Sequence, residues 1–480
     1  MRYQLRHSPV LPRFPAAGAA VLVWQYRTTP APADGNRGYR RDVPAARPGC
    51  MGVTSLVEPD AEGVRPSVRR QVQERRLRGL VGRLLAAGGV QGGRLRAAGV
   101  GDAVDVSLDG LSRLPFVTKQ DLWENYPDGF QIDERIVCIH GSSGTGGRPT
   151  LISYTAHDVD VWASVMARAL GGAGATSRSI IHNAYGYGLF TGGLGVHHGG
   201  MRLGATVVPL SGGMTERQVR LIADLRPDVL CCTPSYAVHL GEALRHNGVE
   251  PSFRVGVFGA EPWTDGMREQ IQGLLGLTAL DIYGLSEIIG PGVACESLDS
   301  RGMLNVAEDH FFVEAVDLDG NPVPDGTPGE LVFTTLTKTG MPLLRYRTGD
   351  VATLAGPVEG SPRTLRRMSK VLGRRDDMLV VRGINVFPTE IESVVLADPR
   401  VGPHYLIVED RRARPELWVV VEGSSDENLA RDLTDALRAR LGVTCKVVVA
   451  PDGTVPRAET GKARRLARWN EGQPPVAGLL

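Results

Sequence analysis

The sequence predicts an α/β protein with a large N-terminal domain, in which helices cover mixed or parallel sheets, and a small mobile α+β C-terminal domain. Strand and helix patterns alternate between residues 205 and 283, and strand patterns with turns dominate between residues 311 and 335. A smaller unit that contains both patterns then follows a short polar connector near residue 376. We therefore expect residues 51–375 to form the large domain and residues 376–480 the small one.

The composition is that of an ordinary globular protein and excludes several functional classes. The 480 residues are 42% hydrophobic and 22% charged, which is enough chain for two or three domains. Lys and Arg total 54 against 53 Asp and Glu, so no net charge attracts nucleic acid or an acidic membrane surface. The six cysteines lack zinc-site spacing, and no apolar stretch reaches the roughly 20 residues that span a bilayer. We expect reduced thiols and a cytoplasmic location.

The first fifty residues differ from the rest of the chain because they are rich in Arg, Pro and Gly. Their single short apolar patch is followed by arginines and has no hydrophobic continuation. We expect residues 1–50 to be disordered or a non-native extension, with Met51 as the working start.

Several helices are predicted by their capping residues. Thr118, Thr155 and Thr215 each stand three residues before an Asp or Gln, which is the pattern of a capping box. Thr264 is predicted to begin a further helix. In the C-terminal unit, Leu recurs at every fourth residue from 429 to 441, which predicts an amphipathic helix.

A run of glycine and hydroxyl residues, HGSSGTGGRPT at residues 140–150, has the composition of a phosphate-binding loop. Glycine lets backbone amides form an anion-binding concavity, and Ser and Thr add neutral donors. The run is no Walker A loop, because Pro149 follows Arg148 where that loop needs a hydroxyl residue after Lys. It is no dinucleotide fingerprint either, because residues 136–139 and 151–154 predict strands on both sides. Taken alone, the run is consistent with a flexible turn or with a phosphate site.

Several motifs together resemble the adenylate-forming enzymes, and within them the phenylacetate-CoA ligase family. The resemblance extends from about residue 66 to about residue 466. The motifs are the glycine run, NAYGYGLFTGG (183–193), FGAEPW (258–263), DIYGLSE with a following GPG (281–292), RYRTGD (345–350), GRRDDM (373–378), RGINVFP (382–388) and GK (461–462).

The resemblance implies the adenylate-forming enzyme fold and an AMP-forming ligase of phenylacetate or a related aryl acid. The carboxylate would attack the α-phosphorus of ATP to give an acyl-adenylate and pyrophosphate, and the thiol of coenzyme A would then displace AMP. ATP, Mg²⁺ and coenzyme A are the implied cofactors and co-substrates. The resemblance implies neither nucleic acid nor a membrane as a partner. It is compatible with a homodimer. Such an enzyme acts in phenylacetate catabolism and aromatic acid degradation.

The resemblance also assigns residues to the nucleotide site. Glu287 is the implied Mg²⁺ ligand, Tyr283 is implied to stack on adenine, and Asp350 is implied to accept hydrogen bonds from the ribose. The implied phosphate-binding residues are Ser142, Ser143, Gly144, Thr145, Gly147 and Arg148. The other implied nucleotide-binding residues are Gly259, Ala260, Glu261, Pro262, Asp281, Gly284, Ser286 and Arg374.

Lys462 and Glu287 are the implied catalytic residues of adenylation. A mobile small domain would bring the Lys462 ammonium between the carboxylate and the α-phosphate. Asp376 is the implied hinge, and re-docking of the small domain would replace Lys462 by the segment at residues 382–385. An apolar pocket for a flat aromatic ring is implied to be lined by Tyr185, Phe190 and Ala260.

The glycine run departs from the family pattern at two positions, because Gly146 stands in place of Thr and Arg148 in place of Lys. We expect a looser hold on pyrophosphate. One alternative keeps adenylation but uses a benzoate-like acid or a carrier-protein acceptor in secondary metabolism. A second alternative is an inactive nucleotide-binding relative, against which the retained Glu287, Asp350 and Lys462 argue.

Overall fold

Strands alternate with helices from residue 180 to residue 285, as the sequence pattern predicts. The structure is a computed structural model that describes residues 56–133, 135–142, 149–375, 377, 379–381, 384–412, 416–424, 426–456 and 465–476. The predictions for residues 1–50 lie outside these ranges. So do those for Ser143, Gly144, Thr145, Gly147, Arg148, Asp376 and Lys462.

Three of the predicted helix starts are confirmed. Thr118 and Thr155 form complete capping boxes with Asp121 and Asp158, and the side chain of Thr264 accepts a hydrogen bond at the start of its helix. None of the helices in the described ranges combines the length and apolar character needed to cross a bilayer. The α-helices are α1 Pro59–Glu62, α2 Pro66–Ala87, α3 Gly89–Ala97, α4 Lys119–Glu124, α5 Ala156–Gly172, α6 Gly192–Leu203, α7 Thr215–Leu225, α8 Pro234–His246, α9 Asp265–Leu275, α10 Pro388–Val395 and α11 Leu429–Leu441.

The predicted N-cap at Thr215 is wrong. Met214, with φ of 50°, precedes the helix, and Thr215 is its first residue. The Thr215 hydroxyl lies 3.3 Å from the hydroxyl of Tyr236, and the Gln218 amide donates to the carbonyl oxygen of Gly213 at 2.7 Å. Contacts with neighbouring segments therefore use the side chains that the capping pattern had assigned to the helix end.

The strands form a large mixed sheet and smaller antiparallel or mixed sheets. They are β1 Ile136–Ser142, β2 Thr150–Thr155, β3 Ile180–Asn183, β4 Thr206–Pro209, β5 Val229–Cys232, β6 Val255–Gly259, β7 Thr278–Leu285, β8 Gly290–Cys295, β9 Met303–Val306, β10 Phe311–Val316, β11 Gly329–Thr335, β12 Tyr346–Ala352, β13 Leu354–Ala355, β14 Arg367–Ser369, β15 Gly373–Arg374, β16 Leu379–Val381, β17 Ile384–Val386, β18 Val401–Asp410, β19 Glu416–Gly423, β20 Lys446–Ala450 and β21 Leu466–Trp469.

The large sheet has the strand order β13-β14-β9-β8-β7-β6-β5-β3-β4. Strands β4, β3, β5, β6 and β7 are parallel to one another. Strands β8, β9, β14 and β13 are antiparallel to their neighbours. Alternate strand residues enter two different cores, because Val257 and Leu280 pack with Trp162 of α5 whereas Phe258 and Ala279 pack with α7, α8 and α9. Helices thus cover both faces, and the carboxyl ends of β6 and β7 meet at one edge.

A second sheet, in the order β10-β11-β12-β15, is antiparallel throughout. It contains the strand pair predicted between residues 311 and 335. Asp350 on β12 is the register partner of Arg374 on β15. This sheet therefore carries two of the residues assigned to the nucleotide.

The C-terminal unit has its own sheet, in the order β20-β19-β18-β21. The leucines at every fourth residue of α11 are all buried against it, which confirms the predicted amphipathic helix. Large and small parts with separate cores agree with the predicted fold class, whereas the boundary near residue 376 stays a prediction.

Candidate active site

The glycine run lies between two paired strands. Strand β1 ends at Ser142 and β2 begins at Thr150, and these two residues are register partners in an antiparallel pair. The amide of Gly141 donates to the carbonyl oxygen of Leu189 at 2.9 Å. The run thus joins strand to strand, as predicted, and its base is tied to the NAYGYGLFTGG segment.

Glu287 follows β7 and turns its carboxylate toward this hairpin. The side chain is only 3% exposed. The hydroxyl of Ser142 donates to Oε1 of Glu287 at 2.8 Å, and the ammonium of Lys119 lies 3.8 Å from the same oxygen. The structure therefore brings together two of the predicted site residues and adds a cation, Lys119, which is the first residue of α4.

A buried brace supports the backbone beneath Glu287. The hydroxyl of Tyr154 donates to the carbonyl oxygen of Ser286 at 2.8 Å, and the ammonium of Lys338 donates to that of Glu287 at 3.2 Å. The Lys338 nitrogen also lies 4.6 Å from the centre of the Tyr154 ring. Burial lowers the pKa of Lys338 to about 8. No motif points to this lysine, which stands in a Thr-Lys-Thr string.

Asp350 is held from two sides. The hydroxyl of Tyr283 donates to Oδ2 of Asp350 at 2.8 Å, and Nη1 of Arg374 donates to Oδ1 at 2.7 Å. The Tyr283 ring stacks on Phe333, with centroids 6.0 Å apart and an interplanar angle of 25°. Burial, followed by the charge of Asp350, raises the pKa of the Tyr283 hydroxyl, so that it stays a donor. Three residues assigned to the nucleotide are therefore one hydrogen-bonded cluster.

The segment after β6 forms a tightly packed turn. A side chain at Gly259 has no room, because a Cβ there would lie 2.1 Å from the carbonyl oxygen of Ile282. Ala260 has a φ of 72°, a left-handed conformation that is costly for a residue with a Cβ. The backbone amide of Ser235 donates to Oε1 of Glu261 at 2.7 Å. Such strain at the carboxyl edge of a parallel sheet is typical of a ligand-binding turn.

The other nucleotide-assigned residues lie in and just after β7. Asp281 is buried, and burial raises its pKa to about 7. Gly284 packs so closely on β8 that a Cβ would lie 1.9 Å from the carbonyl oxygen of Gly290. The Ser286 hydroxyl lies 3.3 Å from that of Thr191. Their direct contact with nucleotide stays a prediction.

The predicted acid-pocket residues occupy different environments. Tyr185 is 5% exposed and its hydroxyl donates to the carbonyl oxygen of Val257 at 3.4 Å, whereas Phe190 is 57% exposed. Tyr185 is therefore a core side chain in part, and Phe190 stands at an open surface beside the hairpin. Their role in binding the acid stays a prediction.

The donor set suits a cation that is held mainly by its substrate. Within the described ranges, no group of three or more His, Cys, Asp or Glu side chains could hold a metal ion. Glu287 is a single buried carboxylate beside the end of the glycine hairpin. Mg²⁺ is commonly bound by one or two carboxylates together with phosphate oxygens and water, so this arrangement fits it.

Residues 100–337 match the AMP-binding enzyme family, and residues 383–468 match the AMP-binding enzyme C-terminal domain. Fold and site thus define an adenylate-forming enzyme. The chain is 47% identical over 439 residues to the phenylacetate-coenzyme A ligase of Thermus thermophilus, with 86% of this chain and 99% of the relative covered. It is 47% identical over 387 residues to that of Escherichia coli, with 77% and 88% covered. The chain belongs to the phenylacetate-coenzyme A ligase family, which confirms the predicted family.

Solved structures of a related ligase share the fold. The 2-hydroxyisobutyryl-CoA ligase in its postadenylation state, in complex with 2-HIB-AMP, superimposes with a TM-score of 0.81 at 26% identity, covering 85% of this chain and 91% of that chain. The same ligase in its thioesterification state, with 2-HIB-AMP and CoA, gives a TM-score of 0.65 at 27% identity, covering 86% and 92%. These likenesses confirm the predicted fold class.

Proposed function

We propose that the protein is an AMP-forming ligase that joins phenylacetate, or a closely related aryl acid, to coenzyme A. In the first half-reaction a carboxylate oxygen bonds to the α-phosphorus of ATP, and the bond from that phosphorus to pyrophosphate breaks. In the second, the thiol sulfur bonds to the acyl carbon, AMP leaves and the thiol proton passes to solvent. The observation that carries this proposal is the contact of Ser142 and Lys119 with Glu287. It occurs in a chain that is 47% identical to a phenylacetate-coenzyme A ligase over 99% of that ligase's length.

The phosphate end of the site has to bring two anions together. Lys119 and Ser142 supply a cation and a neutral donor at the carboxylate of Glu287. Mg²⁺ held there would neutralise charge on the phosphates. The brace of Tyr154 and Lys338 keeps the Glu287 backbone in place, so the carboxylate is positioned before substrate arrives.

The ribose end is served by Asp350. Tyr283 and Arg374 each bind one of its carboxylate oxygens, which fixes the plane of the carboxylate. A carboxylate fixed in this way can accept hydrogen bonds from two neighbouring hydroxyls. The site should therefore prefer a ribonucleotide, because a nucleotide without those hydroxyls leaves the Asp350 carboxylate without these hydrogen bonds.

The catalytic role of Lys462 rests on the family motif. The nearest described residue, Arg465, lies three positions further along the chain. Its Nη2 is 3.5 Å from the sulfur of Met267 on α9, which follows the FGAEPW turn directly. Arg465 thus lies beside the segment that the motifs assign to the nucleotide.

The arrangement of the two parts favours the first half-reaction. The chain superimposes better on the related ligase in its postadenylation state than in its thioesterification state, with TM-scores of 0.81 and 0.65 at nearly equal identity and coverage. We therefore assign the present orientation of the C-terminal part to adenylation. A homodimer and a cytoplasmic location stay predictions.

The test is AMP release from ATP with a panel of aryl acids, measured with and without coenzyme A. We expect acid-dependent AMP formation that is fastest with phenylacetate and yields a thioester when coenzyme A is present. Lys462→Ala should abolish adenylation. If none of the aryl acids supports AMP formation, the proposed function is rejected. Thioester formation only on a carrier protein would favour the alternative acceptor.

A further inference from the structure

A buried carboxylate of the C-terminal part contacts the large part. Glu392 on α10 is 2% exposed, and its Oε1 accepts a hydrogen bond from the backbone amide of Thr264 at 3.0 Å. Thr264 is the N-cap residue of α9. An acidic group at a helix N-terminus is stabilised by the helix dipole as well as by the hydrogen bond. This contact therefore joins residues 100–337, which match the AMP-binding enzyme family, to residues 383–468, which match its C-terminal domain.

The second oxygen of Glu392 is used within the C-terminal part. Oε2 accepts a hydrogen bond from the hydroxyl of Tyr405, and Nη1 of Arg465 lies 3.4 Å from it. The Arg465 guanidinium also lies 4.7 Å from the centre of the Tyr405 ring. Glu392 thus keeps two partners of its own part whether or not Thr264 is in reach.

Arg465 reaches across the same contact. Its guanidinium lies 3.5 Å from the sulfur of Met267. Burial lowers the pKa of Arg465, but Tyr405, Glu392 and Glu261 around it raise that pKa above its ordinary value. Glu261 belongs to the turn assigned to the nucleotide. Arg465 is therefore held at the wall of the proposed ATP site.

The backbones approach each other closely at this contact. Gly266, in the first turn of α9, faces Leu396 at the end of α10. A Cβ at Gly266 would lie 3.0 Å from the carbonyl oxygen of Leu396 and 3.1 Å from its Cβ. Glycine is therefore the residue that lets α9 and α10 meet in this orientation.

We propose that Glu392, with Arg465 and the glycine contact at Gly266, forms a latch that holds the C-terminal part in the adenylating orientation, so that Glu392 is a positioning residue for Lys462. The proposal rests on the proposed function. Rotation of the C-terminal part would separate Glu392 from Thr264 and Gly266 from Leu396. Because Tyr405 and Arg465 would travel with Glu392, release costs about one charge-assisted hydrogen bond and leaves no buried carboxylate unpaired. Such a contact can hold one state without preventing the other.

The two half-reactions can be measured separately, which tests the latch. Adenylation is followed as acid-dependent exchange of labelled pyrophosphate into ATP, and thioester formation is followed from supplied phenylacetyl-adenylate and coenzyme A. We expect Glu392→Gln and Gly266→Leu to lower the exchange rate roughly tenfold. Thioester formation should stay at the wild-type rate or rise, because the second orientation becomes more populated.

A matched control lies on the same helix. A Cβ at Gly273 of α9 meets nothing within 4 Å, so Gly273→Leu should leave both half-reactions at wild-type rates. Equal loss of both half-reactions in Gly266→Leu and Glu392→Gln would overturn the latch, because it would report a general loss of structure. Wild-type exchange in both variants would overturn it as well.

A cross-link tests the geometry without any turnover. The double variant Gly266→Cys with Leu396→Cys would place its Cβ atoms 3.1 Å apart, so a shift of a few tenths of an ångström brings them to the separation of about 3.5 to 4.5 Å found in disulfides. We expect a disulfide, seen as a mobility shift without reductant, that blocks thioester formation and spares exchange until dithiothreitol is added. A cross-linked protein that loses exchange and keeps thioester formation would overturn the latch, because the contact would then belong to the other orientation. A cross-link in a protein that adenylates no aryl acid would instead reject the proposed function and leave the contact standing.

Discussion

The hydroxyl of Tyr283 donates a hydrogen bond of 2.8 Å to Oδ2 of Asp350, across 67 positions of sequence. Together with Arg374 on the other oxygen, it fixes the carboxylate that the family motif assigns to the ribose. Tyr283 thus has a structural function beyond any contact with adenine. Loss of the hydroxyl and loss of the ring should consequently have different effects.

Tyr283→Phe should raise the KM for ATP by roughly three- to tenfold and leave kcat close to wild type, because the ring is kept and one hydrogen bond to Asp350 is lost. Steady-state kinetics with ATP and with 2′,3′-dideoxy-ATP provide the measurement. The KM for the dideoxy nucleotide should not change. An equal rise for both nucleotides would mean that Tyr283 acts on the base and not through Asp350.

Lys119→Met should raise the KM for ATP and for pyrophosphate in the reverse reaction by roughly tenfold, since a cation 3.8 Å from Glu287 attracts the β- and γ-phosphates. AMP lacks these phosphates, so its dissociation constant should stay at the wild-type value. Lys119→Arg keeps the charge and serves as the matched control. Weaker AMP binding in Lys119→Met would point to a disturbed fold around α4.

Lys338 should make stability depend on pH in a defined direction. Burial lowers its folded-state pKa from 10.5 to about 8, so the unfolded chain binds more protons between these values and stability rises with pH there. Relative to Lys338→Met, the unfolding free energy of the wild type should rise by about 2 kcal/mol from pH 7 to pH 9.5. Urea unfolding of both proteins at the two pH values measures this. A difference that is constant with pH would exclude the shifted pKa.

The departures in the glycine run give a prediction that rests on the sequence alone. The double change Gly146→Thr with Arg148→Lys restores a hydroxyl donor and a compact cation. It should lower the KM for ATP, measured at saturating phenylacetate and coenzyme A. An unchanged or higher KM would show that the two residues are neutral or adaptive in this protein.

Local patterns predicted much of the fold because they act over a few residues. A capping threonine and the acid three positions later settle a helix start by themselves, as at Thr118 and Thr155. The same pattern failed at Thr215, where Tyr236 and the segment around Gly213 offer competing partners. A local rule holds where no neighbouring segment competes for the side chain.

The motifs assigned residues to the chemistry, and those roles stay predictions. No motif indicated the side chains that support these residues. Lys338 lies 51 positions from the carbonyl oxygen that it holds, and Lys119 lies in a helix start that matched none of the quoted motifs. No periodicity or spacing links such residues to the site. Their contribution depends on burial and charge, which only packing brings about.

The sequence by itself determined most of the helices and strands, because backbone hydrogen bonding, capping and side-chain period are short-range. Its motifs also named the residues that are assigned to the nucleotide site. Tertiary structure alone decided which groups meet. Ser142 reaches Glu287 across 145 positions, and Thr264 reaches Glu392 across 128. These contacts form only when β1, β7, α9 and α10 are packed around shared cores, since their free energy comes from burying groups that no local segment can bury. The nucleotide site and the contact at Glu392 are for that reason properties of the folded chain.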